Sequence, residues 1–191
     1  MRKARADSTS GTGRASEGAP ILINRAPVLT LWAAIVAQRL GFERDEALTL
    51  GRVVAGLNAY AKGRSLGIFK PTPQTLRRER ERTAAGATWQ VDLLHRAVPV
   101  MRTAQGLRAV SKDKPVSPES VQRYLESKFG ASLDAVEQAL QTLARSLTAD
   151  ELASRAYELY EAFRPDVPAG AGGWGAAGVL DLSRVLDLAR G

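Results

Sequence analysis

The side chains that carry most acid–base and metal chemistry are scarce in this sequence. His95 is the one histidine, and there is no cysteine. Disulfide frameworks, thiolate zinc sites and cysteine nucleophiles are therefore excluded. Asp92 lies close enough in sequence to orient the His95 ring, and Ser65 or Ser111 can be proposed as nucleophile. Nothing in the spacing supports such a triad, and a lone histidine beside an arginine is far more often a surface or packing residue. Asp150-Glu151 reads as the acidic start of a helix, and Glu158 with Glu161 as a solvated face. Lys62 next to Gly63 lacks the frame of a phosphate loop. The run Gly170-Ala171-Gly172-Gly173-Trp174-Gly175 contains the letters of a dinucleotide fingerprint. That fingerprint needs a strand before it and an acidic residue about 20 positions after it. Here Pro165 and Pro168 precede the run and only 16 residues follow it, so it reads as a linker. The residues lean away from an enzyme and imply neither a cofactor nor a metal.

The remaining chemistry is that of positive charge. The 191 residues hold 27 Lys and Arg against 20 Asp and Glu, a net of +7 and a pI near 10.1. The excess is concentrated: residues 62–116 hold 12 basic and 4 acidic side chains, whereas residues 117–191 hold 7 basic and 11 acidic. Lys62, Arg64, Lys70, Arg77, Arg78, Arg80, Arg82, Arg102, Arg108, Lys112 and Lys114 form the candidate binding set, with Arg96 adding to the excess. Such residues track a phosphate backbone without reading bases, which points to DNA or RNA bound in a sequence-tolerant, salt-dependent way. Trp89 could stack on a base, although a tryptophan at an alternating position is more often core. The rival account is an interaction or self-association module in which the basic middle pairs with the acidic C-terminal half of the same or another chain. A solvated arginine-rich face is the plain alternative to both.

These residues must be positioned by secondary structure, and the patterning is mostly helical. Residues 1–20 are rich in Ser, Gly, Ala and Arg and read as a disordered basic tail. No apolar run long enough for a signal peptide follows, and Val28 to Ala37 is too short to span a membrane, so a cytoplasmic protein without membrane contact is expected. Pro27 to Leu40 reads as a first helix, with Val28, Leu31, Trp32, Ile35 and Val36 on one stripe and Gly41 as its stop. Arg44 to Ala61 follows as a second, antiparallel helix, and Thr72 to Thr83 as a short exposed basic one. Pro99 argues against a long helix through 87–111, so short strands are expected at 89–94, 97–102 and 107–111, with a turn at Thr103-Ala104-Gln105-Gly106.

From Ser117 onward three helices are marked by their ends. Ser117 caps Pro118 to Phe129, Ser132 opens a helix with Leu133, Val136, Leu140, Leu143 and Leu147 inward, and Thr148-Ala149-Asp150-Glu151 is a capping box before a helix closed by Pro165. The first two resemble a helix-turn-helix in spacing. The second of them carries Asp134 and Glu137 against Arg145, however, the wrong sign for a groove reader, so a plain hairpin is preferred. The expected architecture is mainly α, a helical bundle-like domain over 21–164 with a small β-hairpin or short sheet in its middle. A Gly/Ala-rich linker at 165–178 and a docking segment at 179–191, with Val185, Leu186 and Leu188 facing inward, complete it.

Overall fold

The computed structural model describes residues 20–65, 88–171 and 175–191, the side chain of Arg64 excepted. It is mainly α with a four-stranded antiparallel sheet, and so is not all-α. Helix α1 (Arg25–Arg39) lies at its centre. Every residue from Pro27 to Ala37 is buried, where the sequence pattern predicts a single stripe. The reason is that α1 meets helices on several sides: α2 (Arg44–Ser65), α3 (Pro118–Phe129), α4 (Leu133–Arg145) and α5 (Ala149–Phe163) all pack on it. A helix in that position must be apolar all round. Its small residues Ala33, Ala34 and Ala37 are what the spacing of large residues overlooks. They allow α2 to approach so closely that a Cβ on Gly51 would run into the Thr30 carbonyl and stand 2.9 Å from the Ala34 nitrogen. On the other side, Trp32 donates its indole N–H to the Ala156 carbonyl at 2.8 Å and meets Phe163 edge-on at 5.4 Å.

Helix α2 begins as expected and runs four residues further than Ala61, through Gly63 to Ser65. It lies against the sheet of β2 (Trp89–Leu93), β3 (Arg96–Thr103), β4 (Gly106–Ser111) and β5 (Lys114–Pro115), ordered as in the chain. The expected strands and the turn at 103–106 are all present, within one or two residues. β5 is too short to satisfy the outer edge of β4, so α2 does it with side chains. Glu46 Oε1 accepts the Leu107 N–H at 2.9 Å, and Thr49 Oγ1 accepts the Ala109 N–H at 3.0 Å. Buried backbone donors need partners, and these two bonds fix the register of helix on sheet.

Both remaining hairpin turns lack glycine. Leu94 and His95 (φ +49° and +56°) join β2 to β3, and Lys112 and Asp113 (φ +51° and +67°) join β4 to β5. Two successive left-handed residues make the turn that matches strand twist. Leu94 is also buried, and its packing compensates for a conformation that leucine rarely adopts.

In the C-terminal half Ser117 accepts the Ser120 N–H, and Thr148 and Glu151 form a complete capping box. The Thr148 backbone N–H bound to Glu151 holds that carboxyl below its ordinary value. Ser132 does not cap α4: it ends a 3-10 turn (Gly130–Ser132) that feeds straight into the helix, so its own backbone is already helical. Ile21–Ile23 (β1), which the sequence leaves unassigned, pairs antiparallel with Gly178–Leu180 (β6), and Asp166 bridges Val179 from the other side. Gly178 is required there, since a Cβ would stand 2.6 Å from the Asp166 carbonyl oxygen. Helix α6 (Leu182–Leu188) buries Val185 and packs on α4 and α5.

Candidate functional site

The sheet register decides which of the predicted basic residues come together. β3 is eight residues long, so its two ends stand about 23 Å apart at 3.3 Å per residue. Arg102 is exposed at the end that carries the 103–106 turn. Lys112 and Lys114 are exposed at the opposite end, beside the level of Arg96. Arg108 faces away from Arg102, because Arg102 pairs with Leu107 and successive side chains alternate. It is also buried: its side chain is 7% exposed, Nη1 donates to the Leu107 carbonyl at 2.8 Å, and Nη2 stands 3.7 Å from Asp45. Arg108 is therefore removed from the set of phosphate-contacting residues. Lys62 is exposed near the end of α2. Lys70, Arg77, Arg78, Arg80 and Arg82, the proposed basic helix, and Trp174 lie outside the described residues, as does the side chain of Arg64. Trp89 is 44% exposed on edge strand β2, not in the core.

The structure also gathers Lys62 and Arg96 of the basic middle with two cations that the sequence does not single out. A cleft of about 640 Å³ opens where the start of α1, the end of α2, the start of β3 and the end of α5 with the segment after it meet. Arg25, Lys62, Arg96 and Arg164 line it, with Glu161 as the carboxylate among them. Arg164 is paired with Glu161 at 2.7 Å. Among the described residues no carboxylate pairs with Arg25, Lys62 or Arg96. Arg25 Nε donates to the Pro165 carbonyl at 3.1 Å. Arg96 Nη2 donates to Asn58 Oδ1 at 2.9 Å while its guanidinium stands 5.6 Å from the centre of the Tyr157 ring.

Three helix ends bear on this cleft, and their partial charges have to be weighed. The ends of α2 and α5 each present about −0.5 of a charge and the start of α1 about +0.5, which removes only about half a charge from a side-chain net of three. The cleft stays positive. Its floor includes Leu29, Ala55 and Ala59, and Tyr157 and Tyr160 supply aromatic walls. Burial pushes the Tyr160 phenol well above its ordinary value, against the pull of Arg25, so its O–H stays a donor, here to the Arg25 carbonyl at 3.3 Å. Two buried wall atoms, Asn24 Oδ1 and Arg96 Nε, have no hydrogen-bond partner. Such groups cost about 1–3 kcal/mol each in a folded protein.

Nothing here assembles a triad. Asp92 is exposed on β2, where it pairs with Ala97, and the His95 ring packs edge-on against Tyr157 at 6.3 Å. Ser65 Oγ donates to the Lys62 carbonyl at 3.0 Å, and Ser111 is exposed on β4. Among the described residues no group of three metal-binding side chains forms, and no helix is long and apolar enough to cross a membrane. Comparison with known protein families, with characterised proteins and with solved structures finds no match.

Proposed function

We propose that the chain is a non-enzymatic cytoplasmic protein that binds DNA or RNA through phosphate contacts, without base reading. The observation that carries this is the position of Lys62, Arg96, Lys112 and Lys114. The turn with its two lysines and Arg96 share one end of the sheet, and Lys62 sits on the same cleft as Arg96. Both hairpin turns at that end therefore carry or adjoin cations, backed by the net excess of eight between residues 62 and 116. Arg102, about 20 Å away along β3, extends the track in the manner of successive phosphate contacts.

Fluorescence anisotropy with mixed-sequence duplex and single-stranded oligonucleotides over a salt series tests the proposal. Affinity is expected to fall steeply with salt, each phosphate contact adding about 0.9 to the logarithmic slope for duplex and about 0.7 for single strands. The double variant Lys112→Ala/Lys114→Ala lowers that slope by between one and two. Absence of binding at low salt overturns the proposal. The second reading, charge-paired self-association, draws support from the acidic excess after residue 117. Light scattering at two ionic strengths separates it, because a charge-paired oligomer loosens in salt and a monomer does not change.

A further inference from the structure

We propose that the cleft between α1, α2, α5 and the start of β3 binds a small organic phosphate carrying a flat ring, of the nucleoside monophosphate class. The site lies apart from the lysine turn; it shares Lys62 and Arg96 with the surface proposed for nucleic acid but does not rest on that reading. Charge sets the first requirement. Arg25, Lys62 and Arg96 have no carboxylate partner among the described residues, and Glu161 is already engaged by Arg164. Guanidinium groups present planar donor forks that match the oxygens of a phosphate or a carboxylate two at a time and exclude a halide, and the side-chain net of three positive charges favours the dianionic phosphate over a single carboxylate. The start of α1 adds to this: no acidic side chain stands in its first turn, and Asn24 makes no side-chain cap. Its positive end is thus left for an anion.

Size sets the second requirement. At about 640 Å³ the cleft falls within the usual range of small-molecule sites, about 300–1,000 Å³, and is far larger than an inorganic phosphate. Its other walls suit a ring. Tyr157 is half-buried, flanked by His95 and Arg96, and Leu29, Ala55 and Ala59 give an apolar floor. Polar edges are present too, in Asn58, which accepts from Arg96 and from the Tyr157 hydroxyl, and in Asn24, whose Oδ1 has no partner. A phosphate at the arginines with a base against Tyr157 uses both halves of the cleft.

Isothermal titration calorimetry on the full chain with AMP, GMP and UMP tests this, with adenosine, ribose 5-phosphate and inorganic phosphate as partial ligands. At least one monophosphate is expected to bind, with adenosine and inorganic phosphate each at least tenfold weaker. Arg96→Gln is expected to weaken binding tenfold or more. Lys62→Ala, at an exposed helical position that leaves the fold intact, weakens it several-fold and keeps the test open should the first variant not fold. The Lys112→Ala/Lys114→Ala double variant leaves nucleotide binding unchanged while reducing oligonucleotide binding, which separates failure of this site from failure of the nucleic-acid reading. Oligonucleotides with and without a 5′-phosphate distinguish a strand end from a free nucleotide as the source of the phosphate: competition with AMP only by the phosphorylated form identifies a strand end, and competition by neither a free nucleotide. No binding by any monophosphate at millimolar concentration, equal binding of inorganic phosphate, or nucleotide binding indifferent to both cleft variants each overturns the proposal.

Discussion

At the Thr103–Gly106 end of the sheet, Arg108 is buried against its own hairpin and faces Asp45, whereas at the Leu94–His95 end Arg96 has an amide and an aromatic ring for partners and no carboxylate among the described residues. The two arginines lie on neighbouring strands and, by the register, on opposite faces of one sheet, yet both reach α2. They also differ in the part of α2 that each meets. The first turn of α2 carries Asp45 and Glu46, which suit the positive end of a helix, and near its last turn stands Lys62, which suits the negative end. A sheet laid along such a helix inherits part of the gradient: Arg108, beside the first turn, meets a carboxylate, and Arg96, towards the last, does not. Charges counted along the chain are therefore not equally available to a partner. Of the described candidates, Arg108 is taken up inside the fold while Lys62, Arg102, Lys112 and Lys114 remain exposed.

The difference between the two ends depends on α2 holding one position relative to α1 and the sheet, and the largest expected effect is its loss. Gly51→Leu places a side chain where even a Cβ meets the Thr30 backbone, so it should cost about 3 kcal/mol or more and move both ends of the sheet at once. Urea unfolding followed by circular dichroism measures it; a loss below about 1 kcal/mol would show that the helices can slide apart cheaply. Arg108→Ala is next. It removes a buried aliphatic stem and the contact with Asp45, and should cost about 2 kcal/mol, less than for a fully buried pair because Asp45 is 60% exposed and stays hydrated. Oligonucleotide affinity should not change. Arg96→Met is expected to be nearly neutral, within about 1 kcal/mol, because the lost bond to Asn58 is offset by removal of the unpartnered Nε, and Asn58 keeps the Tyr157 hydroxyl. If Arg96→Met destabilises as much as Arg108→Ala, the asymmetry between the two ends is not one of spare charge.

How far the sequence foreshadows this arrangement differs between the elements and the cleft. Capping residues made the C-terminal helices legible, since Ser117, Thr148 and Glu151 state their own hydrogen bonds locally. Pro99 and the alternation around Trp89 and Val91 made the strands legible for the same reason. The all-round burial of α1 was not, because alanines at 33, 34 and 37 look neutral until several helices are packed around them. β1 was missed since three residues pair with a strand more than 150 positions away. The cleft was hidden most completely. Arg25, Arg96 and Arg164 belong to three different charge neighbourhoods along the chain, and only the meeting of four elements makes them one group. Arg108 failed in the opposite sense, as its partner Asp45 sits 63 positions earlier and no local signal marks the pair.

The smallest expected effect tests how much strain the open end of the sheet carries. His95 holds φ +56° at the second position of a two-residue turn, where glycine is preferred, and relief of that conformation by His95→Gly is worth about 1 kcal/mol. Against this stands the loss of its edge-on contact with Tyr157, worth about 0.5–1 kcal/mol. The two terms nearly cancel, so His95→Gly should leave stability unchanged or raise it by no more than about 0.5 kcal/mol. A urea midpoint shift of that size, with unchanged slope, would show that the turn is tolerated for its geometry. A loss above about 1 kcal/mol would instead make the His95–Tyr157 contact a main tie between the sheet and α5, and the cleft wall it supports would then depend on the histidine as well as on Arg96.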